Sequence, residues 1–189
     1  MSNLWRTIKS SISALRYSED QYGKAFIIAA DTGDLDKMLE HIGLRGVSYQ
    51  DEYGQRPLHR ASRRGHAAAV RMLLEYGSDP NACDHVGAYT AVQYAAHYQH
   101  AEVVRLLVSY GADVYYQNRI ACRPATYYAH KYPLVKTAIQ QGTSDLYIHR
   151  SIAAQFLIEN LDQEYLLFFN SQTLKHSISM KIIEFLPRH

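Results

Sequence analysis

The stretch from Asp51 to Cys83, DEYGQRPLHRASRRGHAAAVRMLLEYGSDPNAC, is followed at once by a second version of itself, DHVGAYTAVQYAAHYQHAEVVRLLVSYGADVYYQ, from Asp84 to Gln117. The two align with one extra residue near Tyr89: Asp51 meets Asp84, Gly54 meets Gly87, Ala61 meets Ala95, His66 meets His100, and the run Val70 to Leu73 meets Val104 to Leu107. A repeat of 33 to 34 residues constrains the chain more than its composition does. A unit of that size cannot bury its own apolar face, so it must stack on neighbours of the same shape, and the product is a one-dimensional array.

Each part of the unit has a physical role. Gly54 and Gly87 are placed to supply the backbone freedom of a tight turn, and Pro57 suits the first position of a helix, where its missing N–H costs nothing. Small residues at Ala61, Ser62, Ala95 and Ala96 let helices approach closely. Val70, Leu73 and Leu74 make the apolar stripe of a second helix, which Gly77 and Gly111 end with left-handed caps.

Residues 51–83 resemble the ankyrin repeat, whose pattern D-x-x-G-x-T-P-L-H-x-A-A-x-x-G-H, then V-x-x-L-L, then G-A-D-x-N-A, reads almost directly in them. The resemblance implies an all-α solenoid of helix-turn-helix units with hairpin loops. Two weaker copies flank the clear pair: Ala29 to Asp34 with Met38 and Ile42 upstream, and Asn118 to Gly142 with Pro124 and Ala129 downstream. The organisation expected is about four repeats over residues 21–142, the first and fourth degenerate and the fourth with a short second helix. Residues 1–20, with Leu4, Ile8, Ile12 and Leu15 beside Arg6, Lys9 and Arg16, read as a basic amphipathic capping helix, or else a membrane-surface or targeting segment. Residues 143–189 carry further apolar periodicity and read as a C-terminal helical cap or a small helical module.

With 20 Lys+Arg against 18 Asp+Glu the charge advertises no polyanion, and no nucleic acid is expected as partner. Cys83 and Cys122 are the only cysteines, which excludes a disulfide framework and points to a reducing, cytoplasmic setting, the host cytosol if the chain is a secreted effector. No run of about eighteen apolar residues suggests a membrane span. His97 and His100 have a metal-compatible spacing without a third ligand, so no metal or cofactor is expected, and neither a phosphate loop nor a nucleophile motif suggests an enzyme. The resemblance gives His59 a role tying adjacent loops. Gln93 and Tyr127 stand in its place in the next two repeats, so the tie is expected in one repeat only.

The resemblance also implies a concave groove, built from hairpin tips and first helices, that holds a protein partner. Mapped onto this chain it presents Glu52, Tyr53, Gln55, Arg60, Arg63 and Arg64, then His85, Tyr89, His97 and Tyr98, then Arg119, Lys131 and Tyr132. Tyrosine and arginine are the residues enriched at interface hot spots, and the chain has 16 Tyr. The arginines between Glu52 and Glu75 have no intervening acid, which suggests an acidic or phosphorylated segment as partner. The expected role is a monomeric, non-enzymatic interaction module, an adaptor or a pathogen effector. The rival is a substrate-recognition subunit of an enzyme or ubiquitin-ligase assembly, with residues 143–189 doing the second job. Asn81, eight residues after Leu73, sits in a loop resembling those that the asparaginyl hydroxylase modifies in ankyrin proteins, and is a candidate for that modification.

Overall fold

A computed structural model of the chain describes residues 21–45, 47–117 and 123–159. The segments read as an N-terminal cap and as the last part of the C-terminal cap lie outside the described residues. Among the described residues eight helices follow one another: α1 over 21–32, α2 (Leu35–Arg45), α3 (Pro57–Arg64), α4 (Ala67–Glu75), α5 (Ala91–His97), α6 (Ala101–Ser109), α7 (Ala125–Lys131) and α8 (Pro133–Glu159). They pair as helix-turn-helix units. The first helices α3, α5 and α7 pack side by side in one layer, the second helices α4, α6 and α8 in another, and each unit joins the two layers.

The core lies between the layers. Val70 and Leu73 of α4, Val104 and Leu107 of α6, and Val135 of α8 are fully enclosed, facing Ala61, Ala95 and Ala96 of the first helices, whose small side chains allow the close approach. Met38 and Ala30 do the same in the first, degenerate unit. Pro57 opens α3 as expected, and Gly77 and Gly111 take φ of 86° and 90° to end α4 and α6. There the Ser78 N–H donates to the Leu73 carbonyl at 2.9 Å and the Ala112 N–H to that of Leu107 at 3.0 Å.

At three places the structure differs from the sequence expectation. The hairpin tip of the third unit takes its positive φ at Ala88, 56°, and not at Gly87, because the extra residue before Tyr89 shifts the turn by one place. The fourth unit's second helix is the longest of the described elements: α8 spans 27 residues and passes straight through Gly142, so the boundary drawn between 142 and 143 falls inside a helix. Gly142 ends nothing. A Cβ there would lie 2.6 Å from the Arg105 carbonyl oxygen and 2.7 Å from Val108 Cβ, so this glycine is where α8 touches the backbone of α6. The Arg105 guanidinium pins the same contact through Asp145 at 2.7 Å.

Third, the loop tie extends to a second repeat. His59 Nδ1 accepts from the Arg56 N–H at 3.0 Å, which leaves Nε2 to donate to the Ala82 carbonyl at 3.0 Å. Gln93 reproduces this with an amide: Oε1 accepts from the Thr90 N–H at 3.0 Å, and Nε2 donates to the carbonyls of Tyr116 and Arg123 at 3.0 and 2.9 Å. Glutamine offers the same acceptor and donor pair as a neutral imidazole, so the tie survives the change of residue. Burial, the largest influence, holds His59 below its ordinary pKa of 6.5 and keeps it neutral.

A second polar lattice runs beside it. His66 Nε2 lies 3.0 Å from the Asp31 carbonyl and His100 Nε2 lies 3.0 Å from the Arg63 carbonyl, each closing the end of the preceding first helix. Each ring occupies the space left by the glycine of that helix end: a Cβ on Gly33 would come within 2.8 Å of His66, and one on Gly65 within 2.5 Å of His100. Where the next unit has Leu134 in place of the histidine, the glycine position holds Gln99, at φ 63°.

Candidate functional site

The surface to be built is that of the first helices and the hairpin tips. The tips are joined: the Gly54 N–H donates to Asp51 O within one turn, and the His85 N–H donates to Tyr53 O across two. This leaves Glu52 and Tyr53 exposed at the second unit's tip and His85 exposed at the third, its ring against Gly54. Gln55 is not available to a partner. It is only 7% exposed, and its Nε2 donates to the Tyr94 hydroxyl at 3.2 Å. That hydroxyl donates in turn to Asp84 at 2.5 Å. Burial works against the Asp84 carboxylate, yet the bonds from Tyr94 and from the N–H groups of Tyr89 and Gly87 outweigh it and hold its pKa below the usual range. Burial and then the bond to Asp84 push Tyr94 up, so its proton stays in place. Tyr89 stands half-buried against Tyr94, with ring centroids 5.5 Å apart.

The arginine ridge divides in two. Arg60 pairs with Asp51 of its own unit at 3.1 Å, and Arg64 grips Asp31 of the preceding unit with two nitrogens at 2.9 and 3.1 Å, so both guanidiniums are held by acids earlier in the chain. The acid-free sequence run misled here because the neutralising carboxylates come from outside it. Arg63 alone of the three makes no ion pair among the described residues; it lies 5.6 Å over the exposed ring of Tyr98.

From Tyr98 a line of rings crosses to the fourth unit. His97 meets Tyr98 edge-on at 4.9 Å and Tyr128 at 5.4 Å, and its Nδ1 is 3.2 Å from the Tyr128 hydroxyl. Tyr127 meets Tyr128 at 5.4 Å, and the Arg123 guanidinium lies 5.0 Å over the Tyr127 ring. Lys131 is exposed beside Tyr132, 5.3 Å from its ring. Arg119 lies outside the described residues. Sequence reasoning missed Tyr127 as a surface residue, together with Arg123. The available signal was that tyrosine cannot serve the tie made by His59 and Gln93: at that position in the fourth unit the side chain turns out to solvent, 46% exposed. His97 and His100 do not converge on a common point; one bonds to Tyr128, the other to Arg63.

Residues 26–118, which carry the first three of these units, match the family model for ankyrin repeats in three copies. This is an ankyrin-repeat protein. A 52-residue stretch is also 50% identical to part of the 60 kDa lysophospholipase of Mus musculus, covering 27% of this chain and 9% of that protein. The chain therefore spans under a tenth of that relative, and the match says nothing of its activity here. As an ankyrin-repeat protein the chain is a protein-interaction module. No helix among the described residues is long and apolar enough to cross a membrane.

Asn81 has a structural position that its modification would have to undo. Its Nδ2 donates to Gly111 O at 3.1 Å and its Oδ1 accepts from the Asp113 N–H at 2.7 Å, so the side chain bolts the second unit's loop to the third's. Any enzyme acting on it must first open that loop.

Proposed function

We propose that this ankyrin-repeat protein is a non-enzymatic adaptor that holds a partner protein across the first-helix layer and hairpin tips, in a reducing cytoplasmic setting. The observation that carries the reading is the set of large rings left in water on that one face: Tyr53, Tyr98 and Tyr127 are 53%, 43% and 46% exposed, the last two each with an arginine over the ring. Rings of this kind offer contact area at low entropic cost and a polar edge for orientation. The continuity of α8 through residue 142 supports treating residues 143–159 as part of the stack and not as a separate substrate-handling unit.

The test is capture from lysate by the full chain and by a Tyr98→Ser, Tyr127→Ser double variant, with Arg71→Ser on the second-helix layer as control. The expected result is a partner retained by the wild type and the control and lost with the double variant. Equal retention by all three removes this face from the function.

A further inference from the structure

We infer that the occupant of this face is an acidic protein segment, read through Arg63 and Arg123, whose guanidiniums stand at the two ends of the ring series Tyr98, His97, Tyr128 and Tyr127. The inference rests on the reading that this face binds protein and adds the partner's chemistry.

The argument is one of charge left over. Helices α3, α5 and α7 contain no acidic residue. The acids that reach this side are spent within the protein: Asp31 on Arg64, Asp51 on Arg60, and Asp84 on Tyr94 and two backbone N–H groups. Glu52, at one tip, is the exposed exception. The positions equivalent to Arg63 in the third and fourth units are His97 and Lys131, a column with basic side chains in every unit from the second to the fourth. Among the described residues neither Arg63 nor Arg123 meets a carboxylate.

The way these two arginines are held matters as much as their charge. Each lies over a tyrosine ring, at 5.6 and 5.0 Å, which restrains the long side chain that carries its edge N–H donors. A carboxylate needs those edge donors, two at a time, and binding it costs less when the guanidinium is already positioned. A partner segment with two carboxylates separated by uncharged residues could place one on each arginine and lay its middle across the rings. The alternative polyanion, a single-stranded nucleic acid stacking on the same rings, is a different class and an outcome of the test.

The experiment selects peptides from a random 12-residue library on the full-length chain, then measures the best by fluorescence polarisation beside a copy with Asp and Glu changed to Asn and Gln. The expected result is acid-enriched peptides and an amide copy that binds at least tenfold more weakly, with Arg63→Gln and Arg123→Gln each weakening the acidic peptide about tenfold. Arg63→Lys, which keeps the charge and loses the two-pronged edge, recovers only part of the affinity. Arg64→Gln, whose guanidinium is already held by Asp31, changes it less than about twofold. The inference is overturned by peptides without acidic enrichment, by an amide copy of equal affinity, by either glutamine variant binding as wild type, by an equal loss in Arg64→Gln, or by an oligothymidine bound more tightly than the peptides. Peptides that bind a Tyr98→Ser, Tyr127→Ser chain unchanged would instead remove the underlying reading of this face.

Discussion

The junction between the second and third units and the junction between the third and fourth are built on different physics. In the first, polar side chains reach across to backbone groups, His100 to Arg63 and Asn81 to Gly111 and Asp113, while His59 holds Ala82 in the loop that leads into the junction. In the second, the Gln93 bond to the Arg123 carbonyl is what remains of that set among the described residues; the histidine over the glycine is gone, and α8 lies on α6 so closely that Gly142 meets the Arg105 carbonyl. The comparison teaches that a repeat can lose its signature hydrogen bonds and keep its place if its second helix is long enough to supply contact instead.

Breaking the second junction should have the largest effect. Gly142→Ala puts a methyl group against backbone that cannot turn away, and we expect a loss of about 2 to 3 kcal/mol in urea unfolding. A loss under about 0.5 kcal/mol would mean that the close approach contributes little.

The first junction is probed by two glycines that share a positive φ and differ in their surroundings. Gly65→Ala combines left-handed strain with the His100 ring and should cost about 2 kcal/mol, while Gly77→Ala, with nothing within 4 Å, should cost about 1 kcal/mol. In a Gly65→Ala, His100→Ala double variant the ring contribution should vanish, giving less than the sum of the single changes. Additivity there would place the whole cost in the backbone.

The His59 tie, which holds the loop leading into the first junction, should make stability sensitive to pH. Burial depresses the folded-state pKa below 6.5, so the unfolded chain binds the proton more readily; stability is complete above that value and falls as pH drops below it, by at most about 1.4 kcal/mol per pH unit for this one group. His59→Gln copies the tie that Gln93 makes in the next unit, and it should fold and flatten the melting curve between pH 7 and 5. An unchanged pH profile would assign the dependence to another group.

The smallest effect is a gain. Gln99 holds φ 63° without a histidine behind it, so Gln99→Gly should relieve strain and raise stability by about 0.5 to 1 kcal/mol in the same urea assay. A loss would show that the glutamine side chain makes a contribution of its own.

Much of this was legible in the residues. The period, the apolar stripe Val70, Leu73 and Leu74, the opening Pro57 and the caps at Gly77 and Gly111 follow from spacing and backbone chemistry, which act over a few residues and repeat. The surface was legible only in part. Tyr53, Arg63, His97 and Tyr98 are exposed, as their position in the unit suggests, but Gln55 was placed in solvent although it is committed to Tyr94, and Arg60 and Arg64 were counted as free although acids bind them. A local window contains a side chain and omits its distant partner; Arg64 and Asp31 are separated by a whole repeat.

Sequence by itself therefore determined the unit, its helices and the direction in which units must stack, because a buried apolar stripe that recurs at a fixed interval has one economical solution. Tertiary structure alone decided how the units are joined and which charges remain for a partner. Most of those outcomes depend on residues far apart in the chain: the methyl that Gly142 lacks against Arg105, the amide of Gln93 that reaches Arg123, and the arginines left over once Asp31 has taken Arg64 and Asp51, nine positions away, has taken Arg60.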